Sequence, residues 1–451
     1  MAVRSMPNRA SIAPPPRPVN RSCWTARRRV TKRGSGERPG ARIVCFPRGL
    51  DHMEQPGLTC YRGLAPPAGE ARAMKGGPAM REYSTDTIWV GLDVHQSSVT
   101  AAVLHEGSEK AQVVHLPGEV NAVRKLMRRL SKEGAPRSCY EASGAGYVLK
   151  RALDRDGFHC EVIAPSLIPR KPGDRRKTDR LDAIGLAELY RGGYLTPVAV
   201  PDEDQEAVRQ LVRTRLAVQQ HITRVKHRIV KILGAQGHRY TGTKSNWTLK
   251  HRAWLERMRR ELEGPQQTVV SIHLEHLEYL ETEQRSLDAE IERISRMAPW
   301  RASVAALRCF RGIETLTAMT VALEVGDIRR FRSPRGLMGY TGLVPSERSS
   351  GDVERRGPIT KSGNAHLRRV LIEAAWHYRH RARADQRLER RRLGQKPEVV
   401  AIAVKAQHRL SRRFWHLAQS KHPNKAVTAV ARELSGFIWA ALNAVAQERE
   451  A

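Results

Sequence analysis

Four carboxylates stand where they could bind a metal ion that acts on phosphate. Asp93 lies in GLDVH, Glu141 in CYEASG, and Asp179 and Asp182 in KTDRLDA. Hard divalent cations such as Mg²⁺ prefer oxygen ligands, and enzymes that act on phosphodiesters often use acidic side chains to bind them. A single acid of this kind is more often a solvated surface residue, but here Asp93 follows an apolar run and Asp182 precedes one. The pattern therefore predicts a divalent metal site for phosphodiester chemistry.

The elements around these acids predict an α/β domain that begins near Thr87. IWVGLDV, SVTAAVLHEG and KAQVVHLPG predict a three-strand meander, RSCYEAS a fourth strand and HCEVIAPSL a fifth. Helices are predicted for NAVRKLMRRLSKEG, with Asn121 as N-cap and Gly134 as its end, and for GYVLKRALDRDG and KTDRLDAIGLAELYRGG. On this layout Asp93 and Glu141 lie near strand ends and project toward one crevice.

Asp179 and Asp182 are three residues apart on the last of these predicted helices. This spacing places both side chains on one face of the helix. A pair of metals about 3.5–4 Å apart could then activate an attacking oxygen and stabilise a leaving one.

The charge of the chain indicates a polyanionic partner. Its 451 residues include 79 Lys and Arg against 46 Asp and Glu, a formal net charge of +33. Such an excess attracts nucleic acid or an anionic membrane. No apolar run approaches the roughly 18 residues of a membrane span, which favours nucleic acid. The six cysteines have no C-x-x-C spacing, which favours reduced thiols in a cytoplasmic protein over a zinc site.

Residues 1–84 differ in composition from the rest of the chain. They hold 16 Lys and Arg against 5 acids and are rich in Pro and Gly, a composition that predicts a disordered basic extension. Three interpretations are open: a nucleic-acid-binding arm, an organelle-targeting presequence, or translated upstream sequence with the true start at Met74 or Met80. We favour the last, because organised sequence begins a few residues after Met80.

Two heptad seams predict a helical coiled-coil region over residues 201–300. The first comprises Val208, Leu211, Val218, Ile222, Val225, Ile229 and Ile232, with Arg215 at its polar step; the second comprises Leu277, Leu280, Leu287, Ile291 and Ile294, with Gln284 at its polar step. The seams could pack on each other as an antiparallel hairpin or mediate self-association. The basic segment between them contains Trp247 and Trp254 and could lie on RNA or DNA, or form a solvated helix.

In their sequence contexts, the four carboxylates resemble the D-E-D-D tetrad of transposases of the insertion sequence 110 family (110/116/902 type). The resemblance covers roughly residues 87–445, and KTD-x-x-DA is its more specific N-terminal motif. It implies an RNase H-like domain, similar to that of RuvC resolvases, over residues 85–200. It also implies that Asp93, Glu141, Asp179 and Asp182 are catalytic and bind Mg²⁺, with Mn²⁺ as the alternative ion.

Residues 301–451 resemble the mainly helical transposase domain of the same family. Gly312 predicts a turn between helices, as in helix-hairpin-helix units that hold phosphate, and residues 401–448 predict closing helices that serve packing. FRSPRGLMGYTGLVPSERSSG and RRGPITKSGNAHLRRVLIEAAW carry the stronger resemblance. It implies that Ser350, immediately before Gly351, is the nucleophilic serine; without it, S-S-G is typical of an ordinary turn.

Cations near this serine could clamp the phosphates around a scissile bond, since Arg binds phosphate oxygens in a bidentate manner. Their alternative role is a solvated basic face. The candidates are Arg348, Arg355, Arg356, Lys361, Arg368 and Arg369.

Together, these features predict a DNA recombinase that moves an insertion sequence. Ser350 would attack a DNA phosphodiester and form a phosphoserine linkage while the tetrad holds Mg²⁺. The resemblance further implies a structured guide RNA that pairs with donor and target DNA, a homo-oligomer (dimer or tetramer) and a cytoplasmic bacterial location. The alternatives are a metal-only, RuvC-like junction nuclease and a non-catalytic nucleic-acid-binding relic of a transposase.

Overall fold

The computed structural model describes residues 86–169, 178–350 and 353–447. The predicted basic extension and the hypothesis about the start site therefore lie outside the described residues. Within the described part of the chain, every helix is too short or too polar to cross a lipid bilayer.

The first element of the fold is a five-stranded mixed sheet. Its strands are β1 (Thr87–Val94), β2 (Ser98–His105), β3 (Gln112–Pro117), β4 (Ala135–Glu141) and β5 (His159–Ile163), in the order β3-β2-β1-β4-β5. The first three pair antiparallel, whereas β4 runs parallel to β1 and β5 parallel to β4. The five predicted strands and the meander are confirmed.

Alternating side chains of β1 bury the two faces of the sheet against different helices. Ile88, Val90 and Leu92 pack with α1 (Val120–Leu130) and α2 (Val148–Arg155). Trp89 faces the other way and packs with α3 (Asp179–Arg191). The period of two that defines a strand thus produces a three-layer domain.

The predicted N-cap of α1 is wrong. The cap is Glu119, whose extended backbone (φ −89°, ψ 134°) leads directly into helical Val120. This earlier start lets Val120 pack on the core of the sheet. Asn121 instead lies in the first turn, where its Oδ1 accepts a hydrogen bond from Arg124 at 3.2 Å.

The central region consists of α4 (Glu203–Ala235), α5 (Leu249–Glu261) and α6 (Gly264–Ser295). α4 and α6 pack antiparallel within one chain, since Arg215 pairs with Asp288 and Lys226 with Glu281. Of the two arrangements left open by the seams, the hairpin is the one observed.

The seam of α4 is only partly as predicted. Ile222, Val225 and Ile229 are buried against α6, but Val212 and Leu216 are buried in place of the half-buried Val208 and Leu211. A straight helix with 3.6 residues per turn drifts about 20° per heptad. The first half of α4 therefore turns a different face inward, toward the C-terminal core.

The C-terminal region is helical apart from one small hairpin. Its elements are α7 (Arg301–Leu307), α8 (Thr315–Val325), α9 (Pro334–Tyr340), β6 (Pro345–Glu347), β7 (Arg356–Ile359), α10 (Ala365–Ala375), α11 (Gln386–Arg392), α12 (Pro397–Ala418) and α13 (Pro423–Ala446). The predicted closing helices are confirmed as α12 and α13. The predicted turn at Gly312 is also present, with φ +77°.

Candidate active site

The closeness of α3 to β1 brings the acidic residues together. A Cβ atom at Gly91 would lie 2.2 Å from the carbonyl oxygen of Ala183 and 2.5 Å from the amide nitrogen of Ala187. Only glycine allows the helix backbone to approach the strand this closely. Asp93 follows Gly91 by two residues on the same face of the strand, and Asp179 precedes Ala183 by about one helical turn. The helix therefore places Asp179 over the end of β1.

Asp93, His95 and Asp179 form a compact group of potential metal ligands. One donor atom from each lies within 4.8 Å of the other two. The Nε2 atom of His95 is 3.4 Å from Oδ2 of Asp93 and 3.7 Å from Oδ1 of Asp179. Carboxylates bind both Mg²⁺ and transition-metal ions such as Mn²⁺, whereas an imidazole nitrogen favours transition metals. This donor set is therefore compatible with either kind of ion and favours Mn²⁺.

The electrostatics of this group favour a bound cation. Burial raises the pKa of the Asp93 carboxyl, His95 opposes that rise, and the charges of Asp179 and Asp182 add to it. A carboxylate that is partly desolvated near like charges is stabilised by a positive ion. Asp93 is thus a candidate metal ligand.

Glu141 and Asp182 lie beside this group without belonging to it. In the parallel register Leu92 pairs with Tyr140, so Asp93 and Glu141 follow at the next step on neighbouring strands. The side chains of Asp93 and Glu141 point to the face of the sheet that α3 covers. Every second residue of a strand lies on the same face, and Gly91 and Cys139, two residues earlier, contact α3. Asp182 is in the first turn of α3, whose N-cap is Thr178. All four predicted carboxylates therefore lie toward one edge of the sheet, and Asp93 and Asp179 are the two that form the compact group with His95.

Sequence reasoning missed His95. β1 ends at Val94, and the chain then turns, with the amide of His95 donating to the carbonyl of Ser98 at 2.9 Å. This turn places the imidazole ring of His95 beside the carboxylates of Asp93 and Asp179. The alternation of residues along a strand does not predict such a turn. The available signal was the D-x-H spacing in GLDVH.

Ser350 lies near the tip of the β6–β7 hairpin and is not a member of the acidic group. It is exposed and forms an isolated bridge with Val353. Its neighbour Ser349 donates a hydrogen bond to the Glu347 carboxylate at 2.9 Å. The hairpin therefore presents two adjacent serine hydroxyls, one of them already paired with a potential base.

Two glycines fix the base of this hairpin. A Cβ at Gly342 (φ +64°) would lie 2.1 Å from the carbonyl oxygen of Ser362, and one at Gly363 (φ +79°) would lie 2.2 Å from that of Tyr340. Thr360 also donates from its amide to the carbonyl of Val344 at 2.9 Å. The segments YTGLVP and TKSGN are thus one structural unit that positions the serine hairpin.

The six predicted phosphate-binding cations differ in their surroundings. Arg348, Arg355, Arg356 and Lys361 are exposed on the hairpin or just after it. Arg356 pairs with Glu354 and Arg369 with Glu373. Arg368 is half-buried and donates from Nη1 to the carbonyls of Thr341 at 3.0 Å and Ser362 at 3.4 Å, so it also braces the hairpin base.

Two further segments were predicted to contact nucleic acid, and in the structure both make contacts within the chain. Glu314 is the N-cap residue of α8, and its carboxylate pairs with Arg391 at 2.8 Å, which places negative charge near the helix start where a phosphate was expected. Trp247 and Trp254 are half-buried against the core that α4, α5 and α6 form, and both lie beside the ring of His251. These two indoles are used for packing inside the chain.

Known proteins resemble this chain over the sheet domain with α4 and over the C-terminal region. Residues 90–235 match a family model of DEDD transposases of the IS110 type, and residues 304–390 match the transposase IS116/IS110/IS902 family. The putative transposase y4qE of Sinorhizobium fredii is 40% identical over 386 residues, which cover 84% of this chain and 94% of that protein. The transposase for insertion sequence element IS1533 of Leptospira borgpetersenii is 32% identical over 339 residues, 73% of this chain and 96% of that protein.

The acidic sheet edge and these matches define a class of enzyme, the DNA transposases. Within that class, the chain belongs to the IS110/IS116/IS902 family.

Proposed function

We propose that this transposase cuts and joins DNA at a composite site, in which acidic residues hold a divalent metal and Ser350 forms the covalent bond. The observation that carries the proposal is the group formed by Asp93, His95 and Asp179, whose donor atoms lie within 4.8 Å of one another. A site of this kind at the end of a central strand, combined with an exposed serine on a braced hairpin, suits phosphoryl transfer.

We assign the metal site to Asp93, Glu141, Asp179 and Asp182, with His95 as an added ligand, and the ion to Mg²⁺ or Mn²⁺. When bound, the ion would offset phosphate charge and act as a Lewis acid toward the phosphoryl oxygens. The sheet order β3-β2-β1-β4-β5 supports an RNase H-like, RuvC-like domain over residues 85–200. We assign residues 201–300 to the coiled-coil region and 301–451 to the transposase domain.

Ser350 would act by transesterification. Its Oγ forms a bond to the DNA phosphorus as its proton passes to a base, and one ester bond from phosphorus to a sugar oxygen breaks. That sugar oxygen takes up a proton and leaves as an alcohol. The number of phosphate ester bonds is conserved, so attack by another DNA hydroxyl on the phosphoserine releases Ser350 and completes strand exchange.

Ser350 is favoured over Ser349 by the family motif, in which the serine directly precedes glycine. The structure makes Ser349 a specific competitor, because its hydroxyl donates to the Glu347 carboxylate. A carboxylate in that position could serve as a general base. The two serines must therefore be separated by experiment.

We propose that a structured guide RNA and self-association complete the system. A net charge of +33 suits two nucleic acids at once, and base pairing by RNA would supply the sequence specificity. The outer side of α6 carries apolar side chains that are strongly exposed: Val269 at 40%, Ile272 at 56% and Tyr279 at 62%. Exposed apolar surface on a long helix supports a dimer or tetramer formed through the α4–α6 hairpin.

The test is a denaturing gel of the full-length enzyme with labelled DNA that carries the element end, with and without Mg²⁺. We expect a metal-dependent covalent adduct in wild type and in Ser349→Ala, and none in Ser350→Ala. Cleavage that persists in Ser350→Ala without an adduct would identify the metal-only nuclease instead. Absence of any metal-dependent cleavage in wild type would identify the non-catalytic relic.

A further inference from the structure

A basic groove lies between the serine hairpin and the turn that joins α12 to α13. Its volume is about 1060 Å³. One wall is formed by Pro345 of β6 and by β7, and the other by the end of α12, the turn and the start of α13. We call it the hairpin groove.

The charged residues that line the hairpin groove are all cations. They are Arg356, Arg413, Lys421, Lys425 and Arg432. Arg356 and Arg413 share their charge with Glu354 and Glu433. Lys421 and Lys425 are exposed, and no described residue forms an ion pair with either ammonium group. The groove therefore offers positive charge that no acidic residue in the described part of the chain neutralises.

The hairpin groove also has an apolar floor. Leu343 and Leu417 are buried at 2% and 7% exposure, and Ile359 and Ala429 line it beside them. Proteins that bind single-stranded nucleic acid use a cationic groove that follows the backbone and side chains against which bases stack, usually aromatic ones. In the hairpin groove aliphatic side chains and the ring of His422 offer the surface beside the cations. This combination suits one strand of nucleic acid better than it suits a free anion.

The hairpin groove and the serine lie on the same β6–β7 hairpin. In the β6–β7 register Pro345 pairs with Ile359 and Glu347 with Arg356, and the Ser350–Val353 bridge follows three residues farther along. Three residues of strand span roughly 10 Å at about 3.3 Å each. That is the length of about three nucleotides in a B-form strand at about 3.4 Å each. A strand attacked at Ser350 would thus enter the groove within a few nucleotides.

We infer that the hairpin groove binds the DNA strand adjoining the scissile phosphate, with Lys421 and Lys425 contacting its phosphates. Only the placement of the scissile phosphate rests on the proposed function of Ser350. Binding of the strand itself requires neither the serine nor a metal.

The test compares two full-length double variants that each remove two exposed cations. Lys421→Ala with Lys425→Ala removes the two exposed lysines of the groove. Lys405→Ala with Arg412→Ala is the control, because both residues are exposed on α12 outside the groove. Binding of a fluorescent single-stranded DNA is followed by anisotropy in EDTA at several salt concentrations. Thermal unfolding shows whether each variant is folded.

Each phosphate contact with a single strand contributes about −0.7 to the slope of log K against log salt concentration. Loss of two contacts should therefore make the slope of the groove variant shallower by about 1.4, whereas the slope of the control variant should stay as in wild type. Equal losses in both variants would show a general charge effect and overturn the inference. Weakened binding of RNA of the same sequence, with DNA binding unchanged, would overturn it as well.

Discussion

At the residue scale, the candidate metal site contains an imidazole close to two carboxylates. Nε2 of His95 is 3.4 Å from Asp93 and 3.7 Å from Asp179. An imidazole nitrogen is a better ligand for Mn²⁺ than for Mg²⁺, which prefers oxygen. His95 should therefore affect which ion is bound, and how tightly.

Replacing His95 by Gln tests this role. We expect His95→Gln to weaken Mn²⁺ binding by roughly tenfold or more, and to abolish the coupling of imidazole ¹⁴N to Mn²⁺ in pulsed electron paramagnetic resonance. The control is His159→Gln, because His159 lies 3.2 Å from Glu161 outside the site. Nitrogen coupling that survives in His95→Gln would show that His95 is not a ligand.

The acidic residues of this group stand in patterns that the sequence analysis could single out, whereas the only local signal for the histidine was the D-x-H spacing in GLDVH. Asp93 follows an apolar strand and Asp179 begins a helix, and both patterns are local. The position of His95 depends on a turn after β1 and on the approach of α3, about 85 residues later. Residues brought together by such long-range contacts leave no periodic signal.

At the element scale, the packing of α3 on β1 determines the distance between Asp93 and Asp179. This packing depends on Gly91, where a side chain would meet the helix backbone at 2.2 Å. A clash with backbone atoms cannot be relieved by rotating a side chain. The helix must move, and its aspartates move with it.

Gly91→Ala should therefore harm both stability and metal binding. We expect a loss of roughly 1–3 kcal/mol in the free energy of unfolding and weaker Mn²⁺ binding, measured by denaturant unfolding and calorimetric titration. Gly185→Ala is the matched control on α3, because a Cβ there meets nothing within 4 Å. It should be neutral or stabilise by up to about 1 kcal/mol through helix propensity. Unchanged metal binding in Gly91→Ala would contradict this account of the site.

Element types were easier to predict than their ends and faces. Alternating β-branched residues predicted the strands, and heptad spacing predicted α4 and α6. The N-cap of α1 differed because Val120 gains burial by starting the helix early. The buried face of α4 differed because its first half packs on the C-terminal core, a contact that no local pattern encodes.

At the scale of the whole molecule, α4 connects the sheet domain to the region that carries the serine. Glu206 pairs with Arg151 of α2 at 2.6 Å. Farther along α4, Arg213 donates to both carboxylate oxygens of Glu324 on α8, at 2.8 and 2.9 Å. Asn364, at the base of the serine hairpin, donates to the same carboxylate at 2.7 Å.

This buried carboxylate stays charged at neutral pH. Burial alone would raise the pKa of Glu324, but the hydrogen bonds from Arg213 and Asn364 outweigh it and leave the pKa below its ordinary value. Ion pairs and hydrogen bonds thus connect α2 to α4, α4 to α8, and α8 to the base of the serine hairpin. None of these pairs could be predicted from sequence, because the partners are separated by 55, 111 and 40 residues.

The proposed composite site joins the metal site and Ser350 in one reaction. This joint action can be measured by mass spectrometry of peptides from the enzyme after reaction with DNA and Mn²⁺, compared with Asp93→Asn. We predict a nucleotide attached to Ser350 in wild type and no attached nucleotide in Asp93→Asn. A nucleotide on Ser349 or another residue, or one on Ser350 that survives undiminished in Asp93→Asn, would contradict the account.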